Sequence, residues 1–174
     1  MSLSGGKINL AKFEVEWIEN PYYMVVTAEN EDRVREPYRE GIVLLPGRNT
    51  IDKSGLYGGE TPRLYKTIKL KHPTIKIEIF DNTENINEEH LHSADIIMPI
   101  LEVGARLIEN IGISFFAKMI YDYVKSRVRI GEEKETKVFL NIFIAEDEQN
   151  KVRNIKYDGP VDGLKQLEKI LKEK

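Results

Sequence analysis

The chain has 174 residues, room for one ordinary domain or two small ones, and 41% of them are hydrophobic, enough to bury a core. Charged residues make up 32%, with the two signs well mixed, and the net charge of −3 argues against a general binder of nucleic acid or of anionic membrane. The absence of cysteine excludes disulfides, thiolate metal sites and a cysteine nucleophile, and agrees with a reducing, cytoplasmic compartment.

The first seven residues are small and polar, without the basic and apolar blocks of a secretory signal. Residues 8–17 alternate, with Phe13, Val15 and Trp17 on one face and Glu14 and Glu16 on the other, the pattern of a half-buried strand. Asn20-Pro21 marks a turn, and residues 22–27 then read as a second strand pairing back in a hairpin. A polar excursion over 28–41 precedes a short apolar strand, 42–45, closed by Pro46-Gly47. Residues 48–63, with Gly55, Gly58, Gly59 and Pro62, read as a mobile loop. Two further strands are expected at 65–71 and 74–80, on either side of His72-Pro73. The second points Ile75, Ile77 and Ile79 inward and Lys76 and Glu78 outward.

The run 93–129 is the only long one that keeps a helical period, with Phe116, Met119, Ile120, Tyr123 and Val124 forming one stripe. Ser93 and Asp95 suit a helix start, but Pro99 would then interrupt the second turn. A short strand over 94–98 with Pro99 in the first helical turn is therefore preferred. Glu102 with Arg106 and Lys118 with Asp122 fall four apart, as on a solvated helix surface. Gly112-Ile113-Ser114 divides the run into a helical pair, and Ile113, Phe115 and Tyr121 lie off the stripe, suited to an interface or a second buried face. Residues 137–145 are apolar on both faces and belong inside a sheet, with 152–157 as hairpin partner. Gly159-Pro160 opens a terminal helix that buries Leu164, Leu167, Ile170 and Leu171, and Lys169, Lys172 and Lys174 answer its dipole. The whole reads as α+β: a β-rich N-terminal half, a central helical segment, a C-terminal β-hairpin and a terminal helix. One domain over 1–174 is expected, with any sub-boundary near 81–92.

The sharpest chemical cluster runs from Glu88 to Asp95. His90 and His92 project to one side of an extended segment, and with Asp95 they offer the imidazole and carboxylate donors that a divalent metal ion requires. The competing account is a polar linker with surface histidines. Asp81, Thr83, Asn85, Asn87 and Glu89 imitate a calcium loop, but Ile86 stands where glycine is needed and His92 where a bidentate carboxylate is needed. The glycines of 55–61 lack the spacing and the Lys-Ser/Thr ending of a phosphate loop. Lys66, Lys69, Lys71 and Lys76, and Lys125, Arg127 and Arg129, are better explained by a sheet edge and a helix dipole than by phosphate binding. No serine sits in a nucleophile elbow.

The leading expectation is a soluble, non-enzymatic interaction or assembly module. It would need no cofactor, and its partner would be itself, as a homo-oligomer, or another protein, with no nucleic acid or membrane involved. The alternative is a divalent-metal protein or metal-dependent hydrolase using His90, His92 and Asp95. A third reading is a small-molecule pocket lidded by residues 48–63.

Overall fold

A computed structural model of the chain describes residues 13–19, 40–46, 56–80, 87–89, 95–145 and 151–173. In chain order the strands are β1 (Phe13–Glu19), β2 (Ile42–Leu45), β3 (Leu56–Gly58), β4 (Ile77–Ile79), β5 (Asn87–Glu89), β6 (Ile96–Gly104), β7 (Lys137–Ala145) and β8 (Lys151–Pro160). The helices are α1 (Thr61–Lys71), α2 (Ala105–Ile111), α3 (Ile113–Ser126) and α4 (Leu167–Lys172), the last entered through a 3-10 turn at Val161–Gln166.

Six strands form one mixed sheet in the order β1-β8-β7-β6-β2-β4. β7 and β8 are the antiparallel hairpin that alternation implies, with Ile142 opposite Ile155. β7 also runs parallel to β6 along its other edge, which makes it an interior strand of the sheet. Parallel neighbours need a crossover, and α2 and α3 supply the one between β6 and β7. β2 and β4 are likewise parallel, and α1 lies between them in the chain. β3 and β5 make a separate two-stranded parallel ladder.

The α+β organisation is thus the one expected, but three local readings, at 65–71, 48–63 and 94–98, are corrected. β1 pairs antiparallel with β8, at the far end of the chain, and its expected hairpin partner, 22–27, lies outside the described residues. The expected strand at 65–71 is helix α1. Pro62 occupies its first turn, where the missing N–H costs nothing, and Leu64 and Ile68, one turn apart, are its buried face. The expected loop 48–63 accordingly contains β3 and the start of α1 in its described part.

The strand at the head of the central segment does not stop at Met98. β6 runs through Pro99 to Gly104, and its register with β7 slips by one residue between Ile97 and Ile100. Proline has no ladder N–H to give, so a bulge accommodates it where regular pairing would not. Glu102 therefore belongs to a strand. Its side chain is 0% exposed, with Val43 and Phe143 as its cross-strand neighbours, and Arg106 on α2 lies 3.5 Å from Glu40 instead.

The helices cover one face of the sheet. Ile42, Leu44, Ile77, Ile79, Leu101, Val103, Leu140, Ile142, Ile144 and Ile155 pack there against Leu64, Ile68, Leu107, Phe116, Ile120 and Leu171 in one continuous apolar cluster. Side chains from both sides of 81–92 join it. Phe116, Met119, Ile120, Tyr123 and Val124 are all buried, as the period requires. Each large apolar side chain so buried stabilises by about 1.5–3 kcal/mol, several times the roughly 0.3–0.5 kcal/mol of an exposed pair such as Lys118–Asp122. The stripe, not the charges, therefore sets how α3 lies. Gly112 ends α2 with φ +87° and ψ 148°, a backbone conformation that side chains resist, and so breaks the central helix where it was expected to break. At the C-terminus, buried Arg153 of β8 donates to the carbonyls of Leu171, at 3.1 Å, and Glu173, closing the end of α4. Among the described residues no helix is long and apolar enough to cross a membrane.

Candidate functional site: the groove between α1 and α3

Two helices on the same face of a sheet leave a furrow between them, and here no described residue fills it. Leu64, Thr67, Ile68 and Lys71 of α1, His72 just beyond it, and Phe115, Lys118, Met119, Ile120, Asp122 and Tyr123 of α3 line a cavity of about 290 Å³. The floor is apolar. Phe115 stands 44% exposed at one end, its ring edge-to-face with His72 at 5.4 Å between centroids. Leu70, 82% exposed, extends the α1 wall, since Arg63, Thr67 and Leu70 fall at i, i+4 and i+7 along one flank of that helix.

The other end is closed by polar groups. Glu60 sits at the N-terminal end of α1, and its backbone N–H donates to the Ile97 carbonyl at 3.3 Å, at the β6 bulge. The irregularity that Pro99 requires thus also anchors the start of α1. The Glu60 carboxylate receives Arg127 Nε at 2.5 Å and Nη2 at 3.5 Å, and the Tyr123 hydroxyl lies 3.3 Å from Oε1. A carboxylate suits the positive end of α1 and an arginine suits the negative end of α3, so the pair also complements both dipoles. The helices therefore run antiparallel, held by Glu60–Arg127 at one end and by His72–Phe115 at the other.

Burial pushes the Tyr123 hydroxyl far above the usual phenol range, and the neighbouring Glu60 carboxylate adds to this. Arg127 and Arg63 pull the other way. Tyr157, whose hydroxyl donates to the Pro160 carbonyl, is also pushed up, first by burial and then by Asp162 and Asp158. A phenol whose native pKa lies above its unfolded value of about 10 stabilises the fold fully below that pH, and the contribution is lost as pH rises toward the native pKa. In an alkaline absorbance titration these two of the eight tyrosines should ionise late, together with loss of the far-ultraviolet circular dichroism. Tyr123→Phe should remove one late-titrating phenol. All tyrosines ionising together near pH 10 with the fold intact would contradict their burial.

The structure places the residues singled out from the sequence as follows. Phe115 is at the groove. Asp95, half-buried just before β6, accepts the Lys137 backbone N–H at 3.4 Å. His90 and His92 lie outside the described residues, as does Ser93. Glu88 and Glu89 are in β5, opposite Tyr57 and Gly58 of β3. Among the described residues no three His, Asp or Glu side chains are grouped to hold a metal ion. Lys66, Lys69 and Lys71 stand on a helix, not a strand edge, and Lys69 lies over the Tyr65 ring at 4.7 Å. Arg127, expected only to answer a helix dipole, is bound to Glu60. That pair spans 67 positions, and no local pattern in the sequence announces it. The α1 wall, by contrast, had a local signal in Pro62 followed by Leu64 and Ile68. Compared with known proteins, the chain matches no protein-family model, no curated protein and no solved structure.

Proposed function

We propose that the chain is a non-enzymatic protein-interaction module that takes apolar side chains of a partner into the groove between α1 and α3. The observation that carries this reading is the exposure of Phe115 at, and of Leu70 alongside, an apolar floor that no described residue fills. Leaving such side chains in water forgoes about 1.5–3 kcal/mol each, which a partner would recover. The polar groups of the site favour binding over chemistry. Lys118 is paired with Asp122, and Tyr123 and Arg127 with Glu60. A phenol with a raised pKa is a weak proton donor near neutrality. At about 290 Å³ the cavity is just below the size common for small-molecule pockets, and it suits inserted side chains better than a cofactor.

The cations of α1 call for an anionic surface, and the anions of this face, Glu60 and Asp122, are already paired within the chain, so a second copy docked by the same face offers none and the partner is assigned to a different chain. The test is selection from a displayed peptide library against the wild-type chain, with counter-selection against Phe115→Asp. Phe115 is partly exposed, so the variant should fold with stability within about 1 kcal/mol of wild type. Enriched peptides should share apolar residues at i, i+3 or i+4, and i+7, and should lose most of their affinity for the variant. Failure to enrich, or enrichment indifferent to Phe115→Asp, would remove the groove as the binding site.

A further inference from the structure

We infer that the occupant of the groove is an acidic amphipathic helix. This rests on the interaction reading above and adds the chemistry of the partner.

The shape argues for a helix. The walls are two antiparallel helices, and side-chain ridges of a third helix fit such a furrow. An extended strand would need a sheet edge for its backbone groups, and helix walls offer none. With 11 residues α1 is about 16 Å long, enough for three turns of a partner helix.

The charge argues for acid. α1 carries Arg63, Lys66, Lys69 and Lys71 with no acidic residue, in a chain whose net charge is −3. At the groove the anions are already spent within the chain, Glu60 on Arg127 and Asp122 on Lys118. Arg63 and Lys71 have no ion-pair partner among the described residues; Lys71 lines the groove near one end, and Arg63, in the first turn of α1, lies within electrostatic reach of Tyr123 near the other. The α1 rim is thus left with uncompensated positive charge toward both ends of an apolar floor. A partner that meets both features has an apolar stripe bordered by carboxylates. A polyanion such as nucleic acid would answer the cations and leave Leu70, Phe115 and Met119 without a counterpart.

The experiment uses the full chain and three fluorescein-labelled helical peptides of about 18 residues, long enough to sustain a helix. All carry leucine at i, i+3, i+4 and i+7, and their flanks are glutamate, glutamine or lysine. By fluorescence anisotropy at low salt the glutamate peptide should bind at least about tenfold more tightly than the lysine peptide, and the gap should close as salt is raised. Arg63→Glu with Lys71→Glu should invert the order, and Arg63→Gln with Lys71→Gln should level it. Both positions are exposed, so folding is retained and is verified by circular dichroism. Equal binding of all three peptides, lost in Phe115→Asp, would overturn the acidic assignment and leave the groove reading standing. No binding of any peptide would overturn both. Tighter binding of polyuridylate or of phosphatidylserine vesicles than of the glutamate peptide, dependent on Arg63 and Lys71, would reassign the basic rim to a polyanion and overturn the inference.

Discussion

Gly41→Ala should be among the most damaging single-methyl substitutions in the chain. Gly41 immediately precedes β2, and a Cβ built there would lie 2.1 Å from the Lys76 carbonyl oxygen and 2.9 Å from its carbonyl carbon. Neither atom can swing aside as a side chain would. The same Lys76 carbonyl accepts the Ile42 N–H at 2.8 Å, and the Gly41 carbonyl accepts the Gly104 N–H at 3.0 Å. The chain is therefore pinned from β4 on one side and from the end of β6 on the other. To admit a methyl group the β2–β4 register must open, and Ile42, Ile77 and Ile79, all buried, would move with it. Overpacking typically costs about 1–3 kcal/mol, and a clash with backbone belongs at or above the top of that range. We expect a loss of about 3 kcal/mol in urea unfolding. Gly41→Ala within 0.5 kcal/mol of wild type would mean that β2 and β4 do not approach as described.

How far the sequence discloses this fold depends on how local each cause is. The α3 stripe from Phe116 to Val124, the two-faced strand β7 with its hairpin partner, and the terminal helix are set by side chains a few positions apart, so periodicity finds them. The break at Gly112 is local too. Pro99 hides the length of β6, because proline usually ends regular structure. The strand continues because a bulge, which only the β7 partner can define, absorbs the proline. The same proline makes Glu102, which lies inside the strand, resemble a helix-surface residue paired with Arg106. α1 is ambiguous in sequence because the stretch after Leu64 alternates weakly as well as repeating every fourth residue, and seven residues cannot separate the two periods. The helical signal lies just upstream, in Pro62 and Leu64.

The candidate site divides in the same way. Phe115 was visible as an aromatic residue off the buried stripe. The groove was not, because its second wall is a helix more than forty positions earlier in the chain. Glu60 was invisible for a stronger reason. It is one of many glutamates, and only the fold brings it to Arg127 and Tyr123.

Glu60→Ala should accordingly do more than an ordinary surface substitution. The carboxylate receives Arg127, accepts from Tyr123 and sits at the positive end of α1, so its removal leaves a guanidinium and a phenol without their shared acceptor. Breaking a fully buried pair costs about 3–5 kcal/mol. Here the side chains are 14% and 31% exposed, so water can replace part of the loss and we expect about 2 kcal/mol. Arg127→Ala should cost less, since Glu60 keeps Tyr123 and the helix dipole. The double variant should be little worse than Glu60→Ala alone, a coupling of about 1 kcal/mol, whereas additive losses would mean that the pair contributes nothing and that apolar packing alone closes this end. The location of the damage matters as much as its size. Glu60 and Arg127 join the first turn of α1 to the end of α3, so hydrogen exchange should rise at the backbone amides of those two turns and hardly change in the β7–β8 hairpin. Uniform loss of protection would make the pair a determinant of global stability. Loss confined to the two helix ends would make it the clasp that sets the width of the groove.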